Sequence, residues 1–224
     1  VTAVVGHWNS NCSINASSYY NAAHIVAISP ASTNPRLTQQ GFKTIFRVVA
    51  HDDQQGPTLG RFATANLKAK TIAVIDDSTA YGQGLAEQVK EYVVAFLVGA
   101  CLAFAVGLFA TGTGLDRDRA FYPTVMIVIA STYILFAAIS GSVSVLLIEA
   151  IVMVGFSTVA VMGFKSNPWL VVVAMIGHGV FDAFHGRVFT NAGVPPWWPA
   201  FCFAYDAGAS AALAWFLGHP TKSL

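Results

Sequence analysis

The chain has 224 residues, of which 55% are hydrophobic and only 10% charged, and this balance argues against an average soluble protein. A formal net charge of +1, with no basic stripe interleaved with aromatic residues, excludes nucleic acid as a partner. Cys12, Cys101 and Cys202 are too few and too scattered to predict a disulfide framework or a CxxC metal site.

Charge is spread unevenly along the chain. Residues 1–92 carry seven Lys or Arg and six Asp or Glu, whereas the remaining 132 residues carry five of each sign. We therefore predict two domains, a polar one over residues 1–90 and an apolar one over residues 91–224.

The polar part has the alternating pattern of an α/β layer structure. Short β-branched runs at residues 2–5 and 71–75 predict buried parallel strands. Helical spacing of apolar residues predicts helices over 13–23, 56–67 and 82–92. Ligands in this architecture bind at the loops that follow the strands, here residues 6–13 and 76–82.

Those loops carry a family resemblance. The stretches VVGH, ISPASTNP, RVVAHDDQQGP and YGQGLA closely resemble the periplasmic leucine/isoleucine/valine-binding proteins of ABC transporters, over roughly residues 1–88. The resemblance implies a lobe that binds a branched-chain amino acid, with an ABC permease as a further partner. It also implies these ligand contacts, by matching position: Ser10, Ala31 through its backbone, Thr33, Asp52 and Tyr81.

Two features weaken that implication. Loop Ser and Thr residues are commonly only helix caps or turn formers, and this structural role is the alternative for Ser10 and Thr33. The match also ends before the second lobe of the family fold, so we expect an incomplete cleft whose affinity is lower by orders of magnitude.

The apolar part predicts five transmembrane helices, because five successive runs are each close to the roughly 20 residues that cross a bilayer core. The runs cover residues 93–110, 121–139, 142–164, 169–185 and 197–217. Gly99, Ala103 and Gly107 form a small-residue stripe suited to close helix packing.

The positive charges predict the orientation of these helices. With five spans, Arg117, Arg119, Lys165 and Lys222 fall on one side, against Lys90 and Arg187 on the other. An excess of Lys and Arg marks the cytoplasmic side. We therefore expect the amino-terminal lobe outside the cytoplasm and the carboxyl terminus inside it.

Ionisable residues inside the predicted spans form the second candidate site. His178, Asp182 and His185 share one helix face, and Glu149 and Asp206 lie within other spans. Buried charge is costly in a bilayer, so such groups face one another or a wet cavity. Three interpretations stay open: a structural cluster, a proton or solute path, and a metal site for membrane-embedded hydrolysis built from His178, Asp182 and His185.

The fold class predicted overall is an α/β partial periplasmic-binding-protein lobe fused to an all-α integral membrane domain of five transmembrane helices. The expected function is non-enzymatic branched-chain amino-acid binding by an incomplete lobe, without a cofactor. The sequence has no GxSxG motif, no phosphate loop and no nucleophile beside a base. The alternative is a small membrane transporter or a metal-dependent membrane enzyme that uses the ionisable residues of the spans.

Overall fold

The computed structural model describes residues 1–219, except for the side chain of Arg187. The chain divides into a first unit, Val1–Val93, and a second unit that begins at Val94. Lys222, which enters the charge count for orientation, lies outside the described residues. Each unit has its own hydrophobic core.

The first unit is built on a three-stranded parallel sheet, made of β1 (Ala3–Val5), β2 (Val26–Ser29) and β3 (Ile45–Arg47) in that order. Parallel neighbours need crossover connections. These contain α1 (Ser10–Ala22) between β1 and β2, and the short α2 (Arg36–Gln39) between β2 and β3. The buried core is small and consists of Ala27, Leu37 and Ile45.

The remaining helices of this unit follow the sheet. Helix α3 (Asp52–Arg61) continues into a π-helical turn, Phe62–Asn66. Helix α4 (Ala80–Thr113) contributes its residues up to Val93 to the first unit. The predicted helices at 13–23, 56–67 and 82–92 are confirmed, with changed bounds.

The strand predicted at residues 71–75 is wrong, because residues 71–77 form no strand and Ile75 is 91% exposed. A β-branched run favours extended backbone, but a strand also needs a hydrogen-bonded neighbour and a covered face. The sequence prediction also missed β2 and β3, which supply the central strand and an edge of the sheet.

Within residues 1–219, five helices are long and apolar enough to cross a membrane: α4, α5 (Phe121–Ser140), α6 (Val143–Lys165), α7 (Trp169–Val188) and α8 (Trp198–Gly218). The five predicted apolar helices are therefore confirmed as helices. Gly141, with φ at +70°, ends α5, and Ser142 caps α6 by accepting a hydrogen bond from the Val145 backbone at 3.4 Å.

The core of the second unit lies among α5, α6, α7 and α8, and Met126 and Met175 are fully buried in it. Several large apolar side chains instead face away from the protein. On the part of α4 in this unit, the exposed ones include Leu97, Phe104 and Phe109. This unit therefore has an apolar interior and an apolar exterior.

Small residues bring α4 and α8 close together within the second unit. A Cβ placed on Gly99 would collide with the backbone carbonyl of Phe201, and one on Gly208 would lie 2.6 Å from Cβ of Ala103. A Cβ on Gly107 would meet Ala212 at an ordinary 3.7 Å. The small-residue stripe thus packs against α8, most tightly at Gly99.

Candidate functional site

Three of the predicted ligand contacts meet at the carboxyl ends of the strands in the first unit. Ser10, Thr33 and Asp52 follow β1, β2 and β3 respectively, and the carboxyl ends of parallel strands share one sheet edge. Ser10 Oγ accepts a hydrogen bond from the Asn34 backbone at 3.3 Å, and the Asp52 backbone donates to the carbonyl of Thr33 at 3.0 Å. We call Ser10, Thr33, Asn34 and Asp52 the carboxyl-edge cluster.

The carboxyl-edge cluster contains buried oxygen atoms that lack hydrogen bonds. Thr33 Oγ1 and both carboxylate oxygens of Asp52 have no partner among residues 1–219. Asp52 is completely buried, and this burial raises the pKa of its carboxyl group, while the nearby Thr33 hydroxyl and Arg47 guanidinium partly oppose the increase. Buried polar groups normally have partners, so these oxygens are unusual.

Arg47 fixes the loop that carries Thr33. Its guanidinium donates to the carbonyl oxygens of Thr33 and Asn34, each at 2.9 Å. The side-chain amide of Asn34 in turn donates to the carbonyl of Ala80 at 2.6 Å. Backbone carbonyls are thus satisfied by Arg47, and the Thr33 hydroxyl lies beside the Asp52 carboxylate.

The other two predicted contacts, Ala31 and Tyr81, are only partly buried. Ala31 is half-buried in the loop that carries Thr33, and its backbone N–H lies 3.4 Å from Ser29 Oγ. Tyr81 is 39% exposed in the first turn of α4. Sequence reasoning missed Asn34 and Arg47, although Asn34 stands inside the ISPASTNP stretch that carries the resemblance.

The second candidate site is a set of buried polar side chains in the second unit, here called the bundle cluster. All of its members are at most 6% exposed. It contains the five ionisable residues predicted from the sequence and two further residues: Tyr133, Glu149, His178, Asp182, His185, Asn191 and Asp206.

One group within the bundle cluster centres on His178. Its Nδ1 lies 2.7 Å from Asp206 Oδ2 on α8 and 3.4 Å from Asp182 Oδ2, one turn along α7. The hydroxyl of Tyr133 on α5 donates to the other oxygen of Asp182, Oδ1, at 2.7 Å. Three helices therefore supply this group.

The second group centres on Glu149 of α6. His185 Nε2 lies 2.8 Å from Glu149 Oε1, and the side-chain amide of Asn191 donates to the same oxygen at 2.8 Å. The ring of Tyr133 stacks on that of His185, with centroids 4.4 Å apart, and so joins the two groups.

The geometry changes the set of residues expected to hold a metal. His178, Asp182 and Asp206 each offer a ligand atom, and these atoms lie within 4.8 Å of one another. His185 faces Glu149 instead, although it shares a helix face with His178 and Asp182 in the sequence pattern. Helical periodicity identifies a face, but it cannot show which neighbouring helix each side chain meets.

Tyr133 and Asn191 were not predicted as members of this cluster. Tyr133 carries a hydroxyl in the middle of an apolar run, and a buried tyrosine hydroxyl normally needs a hydrogen-bond partner. Asn191 follows α7 in a turn-rich segment, where polar residues are common and give no specific signal.

Comparison with known proteins identifies the first part of the chain. Residues 1–97 match the periplasmic binding protein family. The resemblance predicted from the loop motifs is thereby confirmed for this segment, which is a partial lobe of that type. The relatives are named as amino acid binding or Leu/Ile/Val-binding proteins.

Three curated relatives illustrate the match. An amino acid binding protein of Pseudomonas aeruginosa is 49% identical over 88 residues, which is 39% of this chain and 24% of the relative. Leu/Ile/Val-binding protein homolog 1 of Brucella abortus is 46% identical over 91 residues, 41% of this chain and 24% of the relative. The leucine-specific-binding protein of Salmonella typhimurium is 41% identical over 88 residues, 39% of this chain and 24% of the relative.

Among solved structures, the ABC transporter substrate-binding protein from Desulfitobacterium hafniense shares 36% sequence identity, over 42% of this chain and 28% of that one, with a TM-score of 0.38. This chain spans about a quarter of the length of the curated relatives it matches, 24% for the first of them.

Proposed function

We propose that the first unit is a partial lobe that binds the ammonium and carboxylate groups of a branched-chain amino acid. This lobe is attached to a membrane domain formed by the second unit. The observation that carries this proposal is the unpartnered set of buried oxygens in the carboxyl-edge cluster. The Asp52 carboxylate suits the ammonium group of an α-amino acid, and the Thr33 hydroxyl suits its carboxylate. The names of the relatives support leucine, isoleucine and valine as ligands.

The proposed activity is binding without catalysis. A site with contacts from one lobe leaves much of the ligand in water, whereas enclosed pockets bury about 70–90% of the surface of a drug-sized ligand. We expect a Kd on the order of 1 mM, which corresponds to about 4 kcal/mol of binding free energy. An ABC permease is the proposed partner of the lobe.

The apolar exterior of the second unit supports the proposal that it lies in a lipid bilayer. Leu97, Phe104, Leu147, Ile151 and Val173 are between 56% and 73% exposed. A water-soluble monomer rarely exposes apolar patches of more than a few hundred Å². Arg117, Arg119 and Lys165 follow alternate spans and support the orientation with the lobe outside the cytoplasm.

The test is ligand binding by the full chain reconstituted in lipid nanodiscs. Titration calorimetry with leucine, isoleucine and valine should give saturable binding, and Thr33→Ala should weaken it at least tenfold. Thr58→Ala is the matched control, because Thr58 is exposed and its hydroxyl donates to the Gln54 carbonyl of its own helix, at 2.8 Å. Absence of binding in a folded protein, or equal binding by Thr33→Ala, would refute the proposal.

A second function is supported by the bundle cluster. Glu149, Asp182 and Asp206 each have one carboxylate oxygen without a hydrogen bond among the residues described, and three such groups inside apolar helices suit a path for protons or solutes. Proteoliposomes loaded with a pH-sensitive dye test this alternative. Proton uptake that Glu149→Gln abolishes would support transport, whereas leakage equal to that of empty liposomes would refute it.

A further inference from the structure

We propose that His178, Asp182 and Asp206 bind a divalent transition-metal ion within the second unit. This site is independent of amino-acid binding by the first unit. All three side chains are at most 2% exposed, and they come from two adjacent helices, α7 and α8. Their ligand atoms lie within 4.8 Å of one another.

The distances are close to those of a coordination sphere. Two ligand atoms that each lie about 2.1 Å from a tetrahedral zinc ion are about 3.4 Å apart. His178 Nδ1 and Asp182 Oδ2 are 3.4 Å apart. Nδ1 and Asp206 Oδ2 are 2.7 Å apart, the length of a hydrogen bond. If a metal ion replaces that proton, the separation between His178 Nδ1 and Asp206 Oδ2 must increase from 2.7 Å to about 3.4 Å.

Charge balance distinguishes this group from the neighbouring one. Glu149 faces a single imidazole, that of His185. His178 instead faces two carboxylates, so this group holds two formal negative charges beside one imidazole. No Lys or Arg side chain described in the structure forms an ion pair with these carboxylates. A divalent cation bound to a neutral imidazole would balance both charges, and it would remove the cost of a buried unpaired charge.

An unpartnered oxygen supplies a second indication. Asp206 Oδ1 is buried and has no hydrogen bond within the described part of the chain, and Asp182 Oδ2 has no contact shorter than its 3.4 Å ion pair with His178. Burying such an acceptor without a partner costs about 1–3 kcal/mol or more. Coordination to a metal ion would give these carboxylate oxygens a partner.

Tyr133 is a positioning residue for this site. Its hydroxyl donates to Asp182 Oδ1 at 2.7 Å, which leaves Oδ2 of the same carboxylate directed toward His178. Hydrogen bonds of this kind orient metal ligands, and losing one typically costs 10- to 100-fold in affinity. One imidazole with two carboxylates favours first-row ions such as Zn²⁺ or Mn²⁺, and the absence of a thiolate disfavours Cu(I).

Metal binding by the full chain in nanodiscs tests the site. After chelation and dialysis against Zn²⁺, elemental analysis should find one zinc per chain, and Co²⁺ should give a visible d–d spectrum. Asp206→Asn should lower the affinity for Zn²⁺ at least 100-fold. Asp116→Asn is the control, because Asp116 is also buried in the second unit but accepts a hydrogen bond from Thr111 at 2.7 Å, outside this group. Tyr133→Phe should lower affinity about tenfold and shift the Co²⁺ spectrum, whereas Tyr122→Phe on the same helix should do neither.

If a variant does not fold, X-ray absorption of the zinc-loaded wild-type protein tests which atoms surround the metal ion. We expect only nitrogen and oxygen neighbours, with scattering from one imidazole. Sulfur in the first shell or scattering from two imidazoles would overturn the assignment. So would a folded wild-type protein without stoichiometric zinc, or equal loss of zinc in Asp206→Asn and Asp116→Asn.

Discussion

Substitution of Gly99, at the contact between α4 and α8, tests how closely these helices pack in the second unit. In Gly99→Ala, the added Cβ collides with the backbone carbonyl of Phe201, and it lies 3.2 Å from the Cα atom of the same residue. The obstacle is backbone, so it cannot be relieved by a side-chain rotation. The two helices must separate, and overpacking of this kind costs about 1–3 kcal/mol.

Gly112→Ala is the matched control. Gly112 lies on the same helix, and a Cβ there meets nothing within 4 Å. Replacing Gly by Ala favours a helix by up to about 1 kcal/mol at either position, so the control should be neutral or slightly stabilising. Gly107→Ala, with its nearest contact at 3.7 Å, should also be tolerated.

Cys202 provides the assay, because it is 3% exposed and directly follows Phe201. With Cys12 and Cys101 changed to Ser, the rate at which a thiol reagent modifies Cys202 reports the opening of this interface. A loss of 1–3 kcal/mol predicts labelling roughly 5- to 150-fold faster in Gly99→Ala. Equal rates in Gly99→Ala and Gly112→Ala would refute the inferred packing.

Two further predictions concern the first unit, and hydrogen–deuterium exchange of its strand amides measures both. Leu37→Ala truncates the most buried side chain of a small core and should destabilise the unit by about 2–5 kcal/mol, whereas Leu59→Ala, at a half-exposed position, should cost much less. The pKa of Asp52 is raised above its ordinary value of 3.8, so ionisation destabilises the folded unit as the pH rises from about 4 through the raised pKa. Asp52→Asn should therefore gain stability relative to the wild type between pH 4 and 7, and a constant difference over that range would contradict this assignment.

The long helices could be predicted because their signal is strong and local. An apolar run of about 20 residues has few alternatives to a helix, and the bounds of α5 and α6 lie within one residue of those predicted. Strands of three or four residues carry much less information. β3 is only Ile-Phe-Arg, and its identity depends on pairing with Ala27 to Ser29, which no local pattern records.

The helix α1 was predicted for a reason that its packing does not support. Its buried residues are Ser10, Ser13 and Ser17, not the apolar residues that suggested helical spacing. The Ser13 hydroxyl lies 2.6 Å from that of Ser32, so hydrogen bonds stabilise this face. Hydrophobic periodicity does not detect a buried polar face.

For the candidate sites too, the sequence identified the residues, but it did not show their burial or their packing partners. The resemblance identified loop residues that the fold brings to one sheet edge, but it did not show that Asp52 is completely buried. In the second unit, the cost of burying charge identified the five ionisable residues. Their division into a group around His178 and a pair at Glu149 depends on how four helices pack.

The proposed orientation and the buried-charge inferences both require that hydrocarbon surrounds the second unit. Cys12 and Cys101 are both exposed at the protein surface, the first on α1 and the second on α4. A charged maleimide applied to both faces of opened native membranes, with single-cysteine variants, should modify Cys12 readily and Cys101 only after denaturation in detergent. Modification of Cys101 in intact bilayers at the rate of Cys12 would show that water reaches this face, and it would contradict the account.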